Sequence, residues 1–390
     1  MTVTKDERKG LRTWIEIDRK AIRYNFNVFK SLISKKTKLM AVVKSNAYGH
    51  DLIQFSKEME KLGADFLGVD SITEARALRR EGVTLPILVL GYTMPELFAE
   101  AAKDDISLAV STFETLEAIS KQSASRRISK PLKIHIKVDT GMHRQGFLAE
   151  DLPKILAFLK SKILHHKSPS ILIEGLFTHF AAAKNPAFPK DTKNQIDEFK
   201  QWVTEFNKVG LHPIFHAAAS SGTLVFPEAH FDMVRIGIGL YGLWPERAVK
   251  SYLKNRIALT PILSWKSFIT EVKRLPKGIK IGYDLTETLV KDTTVAVVPI
   301  GYWHGYPRAL SAIGQVLVRG KNAKVLGRIS MDMVTIDVGG IAGVAPGDEV
   351  MIISTDDTSP ASAEGIGGLL DASRYEIVTR LNPLIKRIYK

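Results

Sequence analysis

The sequence of 390 residues contains no cysteine. That excludes disulfides, thiolate metal sites and a cysteine nucleophile. It also has no apolar run approaching the roughly 18 residues that a membrane-spanning helix needs, so no membrane partner is expected. The opening segment, MTVTKDERKG, lacks the apolar core of a signal peptide. The expected compartment is the cytoplasm. Internal repeats and low-complexity segments are not apparent either. Charge is not lacking. Lys and Arg number 55 against 41 Asp and Glu, for a formal net charge of +14. Yet these cations are scattered, with mild clusters at 126–137, 250–256 and 386–390, and no aromatic residues alternate with them as stacking platforms. The expectation is a solvated basic surface that attracts phosphate and carboxylate ligands, not a nucleic-acid binder.

What is present suffices for a large core. Apolar residues make up 45% of the chain, an ordinary share for a globular protein, and the length suits two domains. Short apolar runs bounded by turn signals read as buried strands. From Lys38 onward eight of them occur: 38–43, 65–69, 86–90, 106–110, 133–138, 172–178, 214–218 and 232–236. Helical patterns fall between most of them, at 52–62, 71–80, 94–103, 112–121, 152–159 and 190–209. Eight alternating units are the content of a TIM (β/α)8 barrel, with a doubly wound open sheet as the alternative. After Pro245 the pattern changes, and strands dominate from about Pro261. The expected organisation is an arm at 1–13, a barrel domain at 14–255 that includes a short strand at Trp14–Ile17, and a mostly β domain at 256–390.

Chemistry-bearing residues concentrate at the ends of the barrel strands, where this fold places function. The first strand runs into Lys44, within AVVKSNAYGH. An ammonium at such an exit suits an amine used as a base or imine former; a lysine snorkelling at a strand end is the alternative. The fifth strand leads through Lys137 and Asp139 to Arg144, the sixth ends at His179, the seventh at His216 before Ser220, and the eighth at Arg235 before Gly237 and Ile238. Singly, each has a plainer reading. His179, between Phe177 and Phe180, fits a satisfied core histidine; Lys137 and Asp139 fit a structural ion pair; Arg144 fits a surface loop; Tyr283 fits a turn tyrosine. Gly237-x-Gly239-x-x-Gly242 matches a dinucleotide fingerprint in form only. Trp244-Pro245 follows it where a helix is needed, and Ile262 stands where an acid is needed. The glycines fit instead the phosphate site after the last barrel strand.

The motifs AVVKSNAYGH, KVDTGMHRQG, FTHF, VRIGIGLYG, IGYDLT, VPIGYWHGYPR, GRISMDM and PGDE occur in this order along nearly the whole chain. Together they resemble the alanine racemase family. The resemblance implies a pyridoxal 5'-phosphate enzyme that interconverts L- and D-alanine and supplies D-alanine for peptidoglycan. It implies a homodimer whose active sites are shared between the barrel of one subunit and the β domain of the other. Lys44 is implied to carry the cofactor covalently and to act as one base, with Tyr283 of the other subunit as the second. Tyr48, Ser220, Gly237 and Ile238 are implied to hold the phosphate, Arg235 to face the pyridine nitrogen and His179 to lie by the ring. Arg144 and Met331 are implied substrate contacts, and Lys137 the lysine that the family often carbamylates. Tyr302, Arg308 and Arg328 are implied to line the access channel. No metal is implied.

The chain departs from the family pattern at four places. Ala219 replaces a common asparagine, Ser330 a cysteine, Arg380 a channel tyrosine and Lys184 a channel aspartate. These changes leave the two bases untouched but admit a broader serine/alanine racemase as an alternative. A decarboxylase of the same plan usually supplies a cysteine from its second domain, absent here. A non-enzymatic cofactor carrier resembles the barrel alone and has no counterpart of Tyr283.

Overall fold

The computed structural model describes residues 4, 7–125, 127–128, 130–161 and 171–390. The first residues of the expected arm, and Arg126 of one basic cluster, lie outside the described residues. Contacts divide the chain into two units: Arg23–Ala47 with Leu52–Leu259, and the described residues up to Ile22 with Tyr48–Asp51 and Thr260–Lys390.

The strand β1 (Thr13–Ile17) precedes a closed barrel of eight strands: β2 (Lys38–Val42), β3 (Phe66–Val69), β4 (Ile87–Val89), β5 (Ile106–Val110), β6 (Leu132–Lys137), β7 (Ile171–Phe177), β8 (Ile214–Ala219) and β9 (Met233–Ile236). Every neighbouring pair is parallel, and β2 pairs with β9 to close the ring. The fold is therefore the expected TIM barrel, not an open sheet. Met40, Phe66, Leu88 and Met233 pack in its interior, all buried. Two of its helices begin at side-chain caps. Ser71 accepts from Glu74 N–H ahead of Ile72–Arg80, and Thr112 accepts from Thr115 N–H ahead of Phe113–Ala124. The ring is irregular at two places. The register shifts between Ile134 and His135 on β6, and between His216 and Ala219 on β8.

The second unit is mostly β. A nine-stranded sheet runs in the order 271–275, 293–298, 334–337, 321–326, 315–318, 349–353, 263–268, β1 and 387–389. The placement of β1 differs from the expected barrel domain starting at residue 14. It pairs antiparallel with Leu263–Phe268 and parallel with Arg387–Tyr389. The reason lies in Glu16, whose buried carboxylate accepts from Trp14 Nε1 and pairs with Lys390 at 2.6 Å and Lys266 at 3.2 Å. A buried charge is tolerable only with such partners, and this sheet supplies them. Two helices, Ala363–Leu370 and Arg374–Thr379, were not legible in advance. Gly365, Gly367 and Gly368 weaken the helical pattern of the first, and Ser362 and Ser373 cap the two starts.

The segment Tyr48–Asp51 belongs to this second unit. Arg387 Nε donates to Gly49 O at 3.1 Å and Tyr389 Oη to His50 O at 2.6 Å. Gly49 has φ +86°, and a Cβ there would sit 2.0 Å from Val378 O. Gly49→Ala combines an unfavourable φ with a backbone clash. It is expected to destabilise the protein by about 1–3 kcal/mol, read as a lowered urea midpoint. An unchanged midpoint would contradict this close approach.

Candidate active site

Lys44 leaves β2 in an unusual conformation. Ser45, Asn46, Ala47 and Tyr48 all have φ between 50° and 57°, so the chain winds one left-handed turn directly after the lysine. For residues with a Cβ this costs on the order of 1–2 kcal/mol each. The sequence pattern predicted a turn here but not its hand. Side chains and backbone hold it in place: Asn46 N–H donates to Glu74 Oε1 at 3.2 Å, and Leu52 N–H to Asn46 Oδ1 at 2.9 Å. Lys44 Nζ pairs with Asp70 Oδ1 at 3.2 Å at the end of β3, a partner that sequence reasoning missed. Tyr48 ends the turn and packs against Tyr375 with ring centroids 6.0 Å apart.

Arg235, from β9, is 3% exposed. Its Nη2 donates to Thr178 O at 2.7 Å, Ala217 O at 2.9 Å and His179 Nδ1 at 3.3 Å, and its Nη1 donates to His216 Nδ1 at 3.0 Å. Because a guanidinium only donates, both imidazoles must present an unprotonated Nδ1. Burial lowers Arg235 to about 9, so it stays a cation at neutral pH. His179 is therefore not a satisfied core histidine in an apolar pocket. Burial comes first, and the charges of Arg235, Arg144, Lys137 and Lys44 then bring it down to about 3. Lys137 is lowered to about 8, by burial first and by Arg144 and Arg235 next.

Lys137 Nζ donates to Gln145 Oε1 at 3.1 Å. Asp139 instead accepts at one oxygen from the N–H groups of Gly141, Met142 and His143, at 2.9, 2.9 and 3.0 Å. Burial raises this carboxyl, but the three N–H bonds outweigh it and hold it below its ordinary range. The expected pair is thus two separate devices: a lysine in the pocket and an aspartate that folds the loop carrying Arg144. Arg144 itself is exposed. After β8, Ser220 Oγ accepts from Gly237 N–H at 3.1 Å and Gly239 N–H at 3.4 Å. Ala219 precedes Ser220 without a side-chain cap on the short helix that follows. Gly239 must be glycine, because a Cβ there would lie 2.3 Å from the Phe29 ring.

In the second unit Tyr283 stands at the tip of a hairpin between Lys280–Ile281 and Glu287–Thr288 and is 67% exposed. Gly282, Asp284 and Leu285 all take positive φ to make the tip, and Asp284 pairs with Arg328 at 2.8 Å. Met331 lies on a neighbouring loop, its carbonyl accepting from Trp303 N–H at 3.1 Å. The barrel thus gathers Lys44, Lys137, Arg144, His179 and Arg235 into one cationic mouth, with Ser220, Gly237 and Ile238 on adjoining turns. Tyr48, Tyr283 and Met331 belong to the other unit.

Such a mouth attracts an anion. Two family models match the chain: alanine racemase, N-terminal domain, over residues 17–245, and alanine racemase, C-terminal domain, over residues 262–389. The chain belongs to the alanine racemase family. It is 40% identical to the alanine racemase of Methanococcus maripaludis, covering 96% of this chain and 98% of that one. Among solved structures, alanine racemase from Clostridium difficile 630 superposes with a TM-score of 0.90 at 32% identity, covering 100% and 97% of the two chains. A Bartonella henselae alanine racemase, described with covalently bound pyridoxal phosphate, superposes with a TM-score of 0.83 at 25% identity, covering 97% and 99%. Among the described residues no helix is long and apolar enough to cross a membrane.

The two histidines that face Arg235 give the site a pH signature. His179 and His216 have folded values below the ordinary 6.5. Between the folded and unfolded values the unfolded chain binds more protons, so stability rises with pH. Acidification from pH 7.5 to 5.5 is expected to lower the urea midpoint, each histidine contributing at most about 1.4 kcal/mol per pH unit. The slope should be shallower in His179→Gln. An equal slope in that variant would contradict the neutral assignment of His179.

Proposed function

We propose that this protein interconverts L- and D-alanine with pyridoxal 5'-phosphate held in the barrel mouth. The observation that carries the reading is the set of four cations, Lys44, Lys137, Arg144 and Arg235, acting on His179. The donor set fits a phosphorylated pyridine cofactor. Lys44 offers an amine, Arg235 a fixed guanidinium, and the Ser220 and Gly237 turns offer hydroxyl and backbone N–H groups. Full-length relatives named alanine racemase supply the substrate, and the broader serine/alanine alternative is not favoured.

The residues would divide the work as follows. Lys44 carries the cofactor, while Tyr48, Ser220, Gly237 and Ile238 hold its phosphate. His179 lies by the ring. Pyridoxal phosphate, when bound, supplies the electron sink that makes an α-proton acidic. Arg235 would offer a hydrogen bond to the ring nitrogen but hold its proton too tightly to transfer it, so that nitrogen would stay neutral and transamination would be disfavoured. Arg144, with the backbone N–H of Met331 from a partner subunit, would grip the substrate carboxylate. Lys44 exchanges the α-proton of D-alanine and Tyr283 that of L-alanine, from opposite faces. Lys137, with its amine lowered to about 8, suits carbamylation, which would place an anion beside Arg144.

Tyr283 reaches its site from a partner subunit in this reading. Its exposed hairpin tip supports that, as do the exposed apolar neighbours Leu285, Val290, Trp303, Met331 and Met333 in the same unit, which a second copy would cover. We therefore take the barrel unit, Arg23–Ala47 with Leu52–Leu259, as the main cofactor-binding part, and the mostly β unit, which includes β1, as the part that completes the partner's site. Supply of D-alanine to peptidoglycan in the cytoplasm is the corresponding role.

The test is chirality. Purified protein with pyridoxal phosphate should form D-alanine from L-alanine, and Lys44→Ala should not. Tyr283→Phe should keep the cofactor and lose racemisation by at least about a hundredfold. Full turnover in Tyr283→Phe would overturn the two-base assignment, and full activity in a monomer would overturn the shared site.

A further inference from the structure

Arg235 does not end its hydrogen bonds at His216. His216 Nε2 lies 2.9 Å from His135 Nδ1, and His135 Nε2 lies 3.0 Å from Glu174 Oε2. Ser107 Oγ donates to that same Glu174 oxygen. The chain crosses the barrel from β9 through β8 and β6 to β7. Both histidines are fully buried. Phe177 stacks on His216 at 4.8 Å, and Phe66 meets the edge of His135 at 6.1 Å.

Every proton in this chain can be assigned. Arg235 donates, so His216 Nδ1 accepts. A neutral His216 then carries its proton on Nε2 and donates it to His135 Nδ1. A neutral His135 carries its proton on Nε2 and donates it to Glu174. Burial favours the neutral form of both imidazoles and at His135 outweighs the bond and charge of Glu174, which favour the cation; Arg235 adds to the neutral preference at each. Glu174 is pushed up by burial, but the His135 bond, Ser107 and Lys133 outweigh that and keep it ionised. Lys133 stands 3.9 Å from Glu174 and 2.8 Å from Asp105 at that end. The donors therefore all point one way, from guanidinium to carboxylate.

The fold makes room for this chain at some cost to its regularity. A Cβ on Gly175 would lie 2.0 Å from His135 Nδ1, so His135 needs a glycine beside it on β7. The two register shifts of the barrel fall at His135 and at His216.

We infer that Glu174 is a positioning residue for Arg235, acting through His135 and His216. Its carboxylate fixes the tautomer of His135, that tautomer fixes His216, and His216 Nδ1 holds one arm of the guanidinium. The catalytic consequence rests on the place the proposed function gives Arg235, at the ring nitrogen. Gln at position 174 can offer either an acceptor or a donor to His135. It therefore removes the constraint at its source with little change in size.

The test uses the full chain loaded with pyridoxal phosphate and labelled at histidine nitrogen, with signals assigned by single His→Gln substitutions. Nitrogen NMR of the unmodified chain at neutral pH should show His135 and His216 both neutral and protonated at Nε2. An imidazolium, or an Nδ1–H tautomer at either ring, overturns the inference without any variant. In Glu174→Gln, His135 should lose its single tautomer, and kcat should fall at least about tenfold with KM nearly unchanged. Unchanged tautomers with unchanged kcat overturn it. Should the unmodified chain fail to racemise alanine, the proposed function falls, and the tautomer result alone decides the positioning claim.

Discussion

A guanidinium deep inside a β-barrel is the constraint on which the rest of this site depends. An unpaired charge in that position would cost several kcal/mol. Arg235 survives there because two backbone carbonyls and two imidazoles face it from β8 and from the residue turns after β7. Those acceptors come from two neighbouring strands, the end of β7 and β8, which the parallel barrel sets beside β9. The demand also runs outward. It forces His179 and His216 to be neutral, and it fixes which nitrogen of each carries the proton.

The second feature is an excess of positive charge at the barrel mouth. The charges of Arg144, Arg235 and Lys44 lower Lys137, and all four cations lower His179; the only carboxylate paired directly with one of them among the described residues is Asp70, on Lys44. Such a cluster is a poor arrangement for stability alone. It becomes reasonable as one half of an ionic contact whose other half arrives with a phosphorylated ligand. The left-handed turn after Lys44 belongs to the same economy. Strain of this kind persists only where surrounding contacts over-determine it, and it clusters at functional sites.

Much of this was readable in the residue order. The eight strands and their helices follow from apolar runs and caps, and the suspicious polar residues stood at the strand ends, where a barrel shows them. Other parts were hidden for identifiable reasons. β1 looked like the start of the barrel because alternation gives a strand but not its neighbours; only the lysines that neutralise Glu16 reveal its sheet. The helices at 363–379 were masked by glycines. Asp70 falls between the predicted strand at 65–69 and the helix at 71–80, and nothing in the residue order marks it as the partner of Lys44. His135 and Glu174 fall within the predicted strands at 133–138 and 172–178, where Lys133-Ile134-His135-Ile136-Lys137 places three basic side chains at period two within an apolar strand. That alternation was the available signal for a polar thread inside the barrel.

The most direct measurement is to find where the cofactor attaches. Reducing the protein–pyridoxal phosphate mixture with borohydride makes the linkage permanent, and peptide mapping then locates it. The account predicts one pyridoxyl group, on Lys44, and a large loss of labelling when Arg235 is replaced by Leu. Labelling at another lysine, or none at all in a protein with its barrel intact, would contradict the claim that this cationic mouth is built to hold that cofactor.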